Sequence, residues 1–131
     1  MILKKERKEV VCVIGLGYVG LPLAVRSKEK GYDVIGIELN QARVNLINKK
    51  ISPIEDDFLT KNLPIFPFKA TSNEKEIIKA DIVLICVPTP VDSLYLPDLR
   101  PVEGACKMVA ANLKKGALVV LESTVNPGVS E

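Results

Sequence analysis

Four short aliphatic runs, Val10 to Ile14, Val34 to Ile37, Ile82 to Val87 and Ala117 to Leu121, punctuate a chain that is otherwise mixed in polarity. Unbroken apolar runs of this length suit strands buried on both faces, because a strand with one wet face alternates instead. Between them the spacing changes to that of helices. After Gly17, the residues Val19, Leu21, Leu23, Ala24 and Val25 lead into a polar turn with Lys28 and Lys30, and Gly31 stands where a helix-ending glycine belongs. Asn40 is placed to cap a second helix whose inner stripe is Val44, Ile47 and Ile51. Thr71-Ser72-Asn73-Glu74 has capping-box spacing, which predicts Thr71 as the cap of a short helix reaching Lys79. The clearest helix carries the stripe Val102, Ala105, Cys106, Val109 and Leu113, tolerates Pro101 in its first turn, and closes at Gly116 behind Lys114 and Lys115.

Strand thus alternates with helix, which predicts the α/β class: a parallel sheet, helices on both faces, and a doubly wound arrangement from right-handed crossovers. Pro67 to Ala70 is read as a further strand. Ser52 to Phe66, with Pro53, Pro64 and three acids, and Pro88 to Pro101, with four prolines, are read as surface loops. At 131 residues the chain makes one domain, and no repeat or linker marks an internal boundary.

Composition narrows the chemistry. With 47% hydrophobic and 26% charged residues the chain can build a globular core, and its net charge of +2 comes from interspersed signs, so nucleic acid is not an expected partner. Histidine is absent, which removes His-based acid/base catalysis and most zinc sites. The three cysteines have no C-x-x-C spacing, so no metal and no disulfide framework is expected; Cys12 and Cys106 are read as inert core residues and Cys86 as structural. The basic start before Val10 imitates a signal peptide, but Gly15 interrupts the apolar run after five residues. No run approaches the roughly 20 residues of a membrane span, so no membrane association and a cytoplasmic home are expected.

Gly15-Leu16-Gly17-Tyr18-Val19-Gly20 matches G-x-G-x-x-G, follows an apolar strand, opens a helix, and has an acid, Glu38, eighteen positions after its last glycine at the end of the next strand. Those features predict a dinucleotide fingerprint. Gly15 permits the tight turn, Gly17 admits the pyrophosphate, Gly20 brings helix and strand together, and the helix N-terminus attracts the anion. Glu38 would accept the adenosine ribose hydroxyls and repel a 2′-phosphate, favouring NAD over NADP. Arg43 has three readings: stacking on adenine, pairing with Glu38, or a solvated helix face. Val87-Pro88-Thr89 ends a strand at its carboxyl end, over the crevice where ligands lie, so Thr89 either touches the cofactor or belongs to a plain strand stop. Thr124, after the last strand, either reaches the nicotinamide end or a reacting water, or serves a turn.

Taken together, Val13 to Leu23, Cys86 to Asp92, Pro97-Asp98-Leu99 and Leu121 to Gly128 resemble the UDP-glucose/GDP-mannose dehydrogenase family, most of all its UDP-N-acetyl-hexosamine 6-dehydrogenase branch. The resemblance implies a Rossmann-type NAD-binding domain. It implies, for the family, oxidation of a nucleotide-sugar C6 alcohol to the uronate with two hydride transfers to NAD and a cysteine-held thiohemiacetal between them. By position, Gly15, Gly17, Tyr18, Val19 and Gly20 match the pyrophosphate cradle, Glu38 and Arg43 the adenosine-ribose contacts, and Val87, Pro88 and Thr89 the coenzyme wall. Thr124 matches a threonine facing the nicotinamide and a catalytic water. The resemblance also implies that the family's catalytic cysteine, lysine and asparagine and its nucleotide-sugar pocket belong to later domains, so this chain by itself is expected to be inactive, and that full-length members are homo-oligomers. A stand-alone dinucleotide-binding sensor or scaffold is the alternative.

Overall fold

The computed structural model describes residues 8–89, 91 and 93–122. The elements run β1 (Val10–Ile14), α1 (Gly20–Glu29), β2 (Asp33–Ile37), α2 (Gln41–Asn48), α3 (Asp57–Asn62), β3 (Lys69–Thr71), a 3-10 helix (Glu74–Lys79), β4 (Ile82–Ile85), α4 (Arg100–Asn112) and β5 (Leu118–Leu121). All five strands are parallel, in the order β3-β2-β1-β4-β5. The α/β, doubly wound expectation holds, and its physical basis is visible within single strands. Val11 and Val13 of β1 face a core with Leu21, Val25, Val44, Ile47, Leu59 and Leu63, whereas Cys12 and Ile14 face another with Ile77, Val83, Ala105 and Val109. Side chains that alternate across the sheet are therefore apolar at every position, because helices cover both faces. Among the described residues no helix is long and apolar enough to cross a membrane.

Several local expectations are corrected. The segment Ser52 to Phe66 is not only loop: α3 lies within it, capped by Asp56, whose Oδ1 accepts the Leu59 amide at 3.0 Å, and buries Leu59. Ile51 is 51% exposed and Ile54 is buried in its stead, because α2 ends at Asn48 and Lys50 turns the chain at φ 66°. The segment after β3 is a 3-10 helix capped by Asn73 rather than a capping box on Thr71. Thr71 is the last residue of β3, and its hydroxyl accepts the Asn73 amide at 3.0 Å while Asn73 Oδ1 accepts from Lys75 at 3.1 Å. On α4, Ala105 and Val109 carry the buried stripe, and Cys106, one residue further round, is exposed, so it is no core cysteine. β5 is not buried on both faces: as the sheet's edge strand it leaves Leu118 and Leu121 exposed. β4 ends at Ile85, two residues before the expected Val87.

The opposite edge is closed by a side chain. Asn48, at the end of α2, donates to the Ala70 carbonyl at 2.8 Å and accepts the Ala70 amide at 2.9 Å, taking the place of a neighbouring strand on β3. Near the opposite end of β1, Asp81 accepts the Val10 amide at 2.8 Å and pairs with Lys114, tying the start of β4 to β1 and to the turn before β5.

Candidate functional site

Between β1 and β4 the strand order reverses, and there a parallel sheet opens a crevice at the carboxyl ends of its strands. A cavity of about 680 Å³ occupies this place. Its walls are the loop from Ile14 to Val19, the end of β2 from Ile37 to Asn40, Arg43 of α2, Cys86 to Pro88 after β4, and Arg100, Pro101, Gly104, Ala105 and Met108 of α4. That volume is of the size that holds a small organic ligand.

The turn from β1 into α1 is set by backbone chemistry. Gly15 sits at φ +91°, donates its amide to the Ile37 carbonyl at 2.8 Å, and lies so close to Cys86 that an added Cβ would meet the Cys86 carbonyl oxygen at 3.0 Å. Gly20 starts α1 against this turn, where a Cβ would overlap the Gly15 carbonyl oxygen and meet Cys86 Cβ at 3.1 Å. Gly17 differs: among the described residues an added Cβ would meet Arg43 Nη1 alone, at 3.8 Å, so the space above it is open to the cavity. Tyr18 is 81% exposed at the cavity mouth. Among the described residues, no acceptor takes the backbone amides of Gly17, Tyr18, Val19 or Gly20. α1 also has no side-chain cap and no acid in its first turn. Consecutive donors at a helix start, with no acceptor among the described residues to satisfy them, make an anion site.

Glu38 is not a loose strand-end acid. Its Oε1 accepts the Leu16 amide at 3.1 Å and its Oε2 the Asn40 amide at 3.0 Å, which fixes the carboxylate at the cavity rim. A carboxylate has about four acceptor sites, so each oxygen keeps capacity for a further donor. Arg43 is half-buried and donates to the Leu16 carbonyl at 3.4 Å instead of pairing with Glu38. Both residues are thus organised by the backbone of Leu16, whose side chain is fully buried against Gly36. A variable position of the fingerprint reveals nothing of this in the sequence; only the bonds of its backbone do.

Val87 and Pro88 line the cavity, while Thr89 and Gly20 lie outside its lining. Thr124 lies outside the described residues. Cys86 forms part of the floor, buried, and burial together with the nearby Glu122 pushes its thiol up to about 11, so it stays protonated near neutral pH. Cys12 is pushed up to about 12, by burial and then by Glu76. Neither thiol is an activated nucleophile. The α4 wall is absent from the sequence reading. Arg100 at its start forks onto Asp98 at 2.9 and 2.8 Å, and this pairing, with the Arg100 amide, holds the Asp98 carboxyl down to about 2.

The family model for the NAD-binding domain of the UDP-glucose/GDP-mannose dehydrogenase family matches residues 9–131. The chain is 37% identical over 121 residues to a UDP-N-acetyl-D-glucosamine 6-dehydrogenase of Pseudomonas aeruginosa, covering 92% of this chain and 28% of that protein. It is 41% identical over 124 residues to the UDP-N-acetyl-D-mannosamine dehydrogenase of Escherichia coli K12, covering 92% and 29%. Among solved structures, a UDP-D-ManNAc dehydrogenase from Pyrococcus horikoshii superposes with a TM-score of 0.82 at 33% identity, covering 91% of this chain and 29% of that one. The chain therefore spans less than a third of the length of these relatives. A glycine turn with four unanswered amides, an acid fixed at the end of β2 and a cavity at the strand-order reversal agree with that match, and the chain belongs to the UDP-glucose/GDP-mannose dehydrogenase family, as its NAD-binding domain.

Proposed function

We propose that the chain is the coenzyme-holding part of a nucleotide-sugar 6-dehydrogenase, which oxidises the C6 alcohol of a UDP-sugar to the uronate. The observation that carries the reading is the run of amides from Gly17 to Gly20, unanswered among the described residues, of which Gly17, Tyr18 and Val19 line a cavity whose rim holds Glu38. NAD, when bound, supplies the hydride acceptor. The residues present fit it. Gly15 and Gly20 shape the turn, and Gly17, Tyr18 and Val19 present donors to the pyrophosphate. Glu38 receives the adenosine ribose hydroxyls at its remaining acceptor sites, with Arg43 alongside, and Val87 and Pro88 form the wall on the β4 side, with Thr89, the next family position, just outside the cavity lining. Thr124 is the family position assigned to the nicotinamide end and its water.

If Glu38 has this role, calorimetric titration will show NAD bound about tenfold or more tighter than NADP, because a fixed carboxylate meets the added phosphate with like charge. Glu38→Ala will narrow the gap. Equal affinities in the unaltered protein would remove Glu38 from the ribose site and leave Arg43 as a phosphate partner.

Substrate binding, the base and the nucleophile belong, in this reading, to the part of the relatives' length that the chain does not span. Turnover needs an oriented alcohol and a group to retain the aldehyde, and loss of positioning alone forfeits about 7 to 11 kcal/mol of barrier reduction. NADH absorbance should therefore stay flat when this chain is incubated with NAD and UDP-glucose, UDP-N-acetylglucosamine or UDP-N-acetylmannosamine. Enzyme-dependent NADH formation by a homogeneous sample would place a complete substrate site on these residues.

A further inference from the structure

A glycine inside a helix is disfavoured and calls for a reason. Of the described glycines, Gly31 and Gly116 have theirs in φ values of +98° and +88°. Gly15, Gly20 and Gly36 have theirs in neighbours that a Cβ would strike. Two remain without one, Gly17 and Gly104, and both line the same cavity. Gly104 lies within α4, its φ is not positive, and an added Cβ would meet no protein atom within 4 Å. Nothing within the described protein asks for glycine there.

Its place in the cavity points to one half of the ligand. Ala105, the next residue, packs in the same core cluster as Ile37, which directly precedes Glu38. That cluster also holds Ile14 and Ile85, so α4 covers the ends of β1, β2 and β4, and Gly104 lines the same cavity as Glu38. A base attached to a ribose held by Glu38 needs an apolar surface it can approach closely, and the gap that Gly104 leaves between Pro101 and Met108 on the same helix face offers one.

We propose that Gly104 is the adenine wall of the coenzyme cavity, kept free of a side chain so that the adenosine half can seat against α4. This rests on the coenzyme reading above and assigns a residue to it outside the fingerprint. The test is Gly104→Ile, whose β-branched side chain is stiff at χ1 and cannot swing away, while its helix propensity exceeds that of glycine, so the fold is preserved. Cys106→Ile, on the exposed side of α4 and outside the cavity lining, serves as the control. Calorimetry with NAD and with ADP-ribose should show both ligands weakened about 30-fold by Gly104→Ile. The melting temperature should be equal to or above that of the unaltered protein, and Cys106→Ile should bind both ligands normally. Unchanged affinity in a folded Gly104→Ile protein would overturn the wall alone. A loss confined to NAD, with ADP-ribose unaffected, would also overturn it, since position 104 would then face the nicotinamide half. Failure of the unaltered protein to bind NAD would overturn the coenzyme reading and this inference together.

Discussion

Replacing Gly20 by alanine is expected to destabilise the folded protein by about 3 kcal/mol or more, lowering its melting temperature by roughly 10 °C. The added methyl has no room: it would overlap the Gly15 carbonyl oxygen, approach the Gly15 carbonyl carbon to 2.9 Å and meet Cys86 Cβ at 3.1 Å. Two of these three neighbours are backbone, and that backbone is itself held, since the Gly15 amide bonds Ile37 and the Cys86 amide bonds Ile14, both at 2.8 Å. Relief requires α1 to lift from the sheet, which separates Leu21, Ala24 and Val25 from their core. Thermal and urea unfolding followed by circular dichroism measure the effect. A Gly20→Ala melting point within about 2 °C of the unaltered protein would mean that the turn is loose, and the account of helix and strand in close approach would have to be abandoned.

Gly17→Val should behave in the opposite way, folding normally but losing about 100-fold or more in affinity for NADH. Here the Cβ direction is open, with Arg43 Nη1 at 3.8 Å as the nearest atom, and φ is not in the left-handed region. The Gly17 carbonyl still accepts the Leu21 amide at 3.0 Å, so the first turn of α1 is kept. What valine occupies is the approach to the unanswered amides, and hydrogen bonds to a charged group are worth about 1.5 to 3 kcal/mol each. Fluorescence titration of NADH beside a thermal melt separates the two effects. A folded Gly17→Val protein that binds NADH as before would show that the pyrophosphate lies elsewhere. The pair of substitutions thus divides one motif into a glycine required by the protein and a glycine required by its ligand.

The sequence analysis located the glycine turn, Glu38 and the Val87-Pro88 segment that follows β4, and all of these border one cavity. They were legible because each is a local device: a glycine at a turn, an acid at a strand end, a proline that ends a ladder. The part that Leu16 and α4 play in the site was not legible. Leu16 organises the site through its backbone amide and carbonyl, which every residue possesses, so its identity carries no signal. The α4 wall comes to the cavity by a crossover from β4, and nothing local announces which helix face will meet the ends of β1 and β2. Gly104 did carry a signal, a glycine within an amphipathic helix, that becomes meaningful only beside an open cavity.

What the sequence determined by itself is the class of the fold and the kind of ligand, because apolar run length, helical spacing and the fingerprint act over a few residues and need no distant partner. Tertiary structure alone decided the rest. It placed β1 between β2 and β4, made β5 an exposed edge out of an apolar run identical in character to the buried ones, and closed β3 with Asn48. It also exposed Cys106 and Ile51, whose spacing suited burial. The physical reason is common to all of these. Periodicity says that a face is apolar, whereas burial depends on whether another element arrives to cover it, and that is a property of the assembled layers.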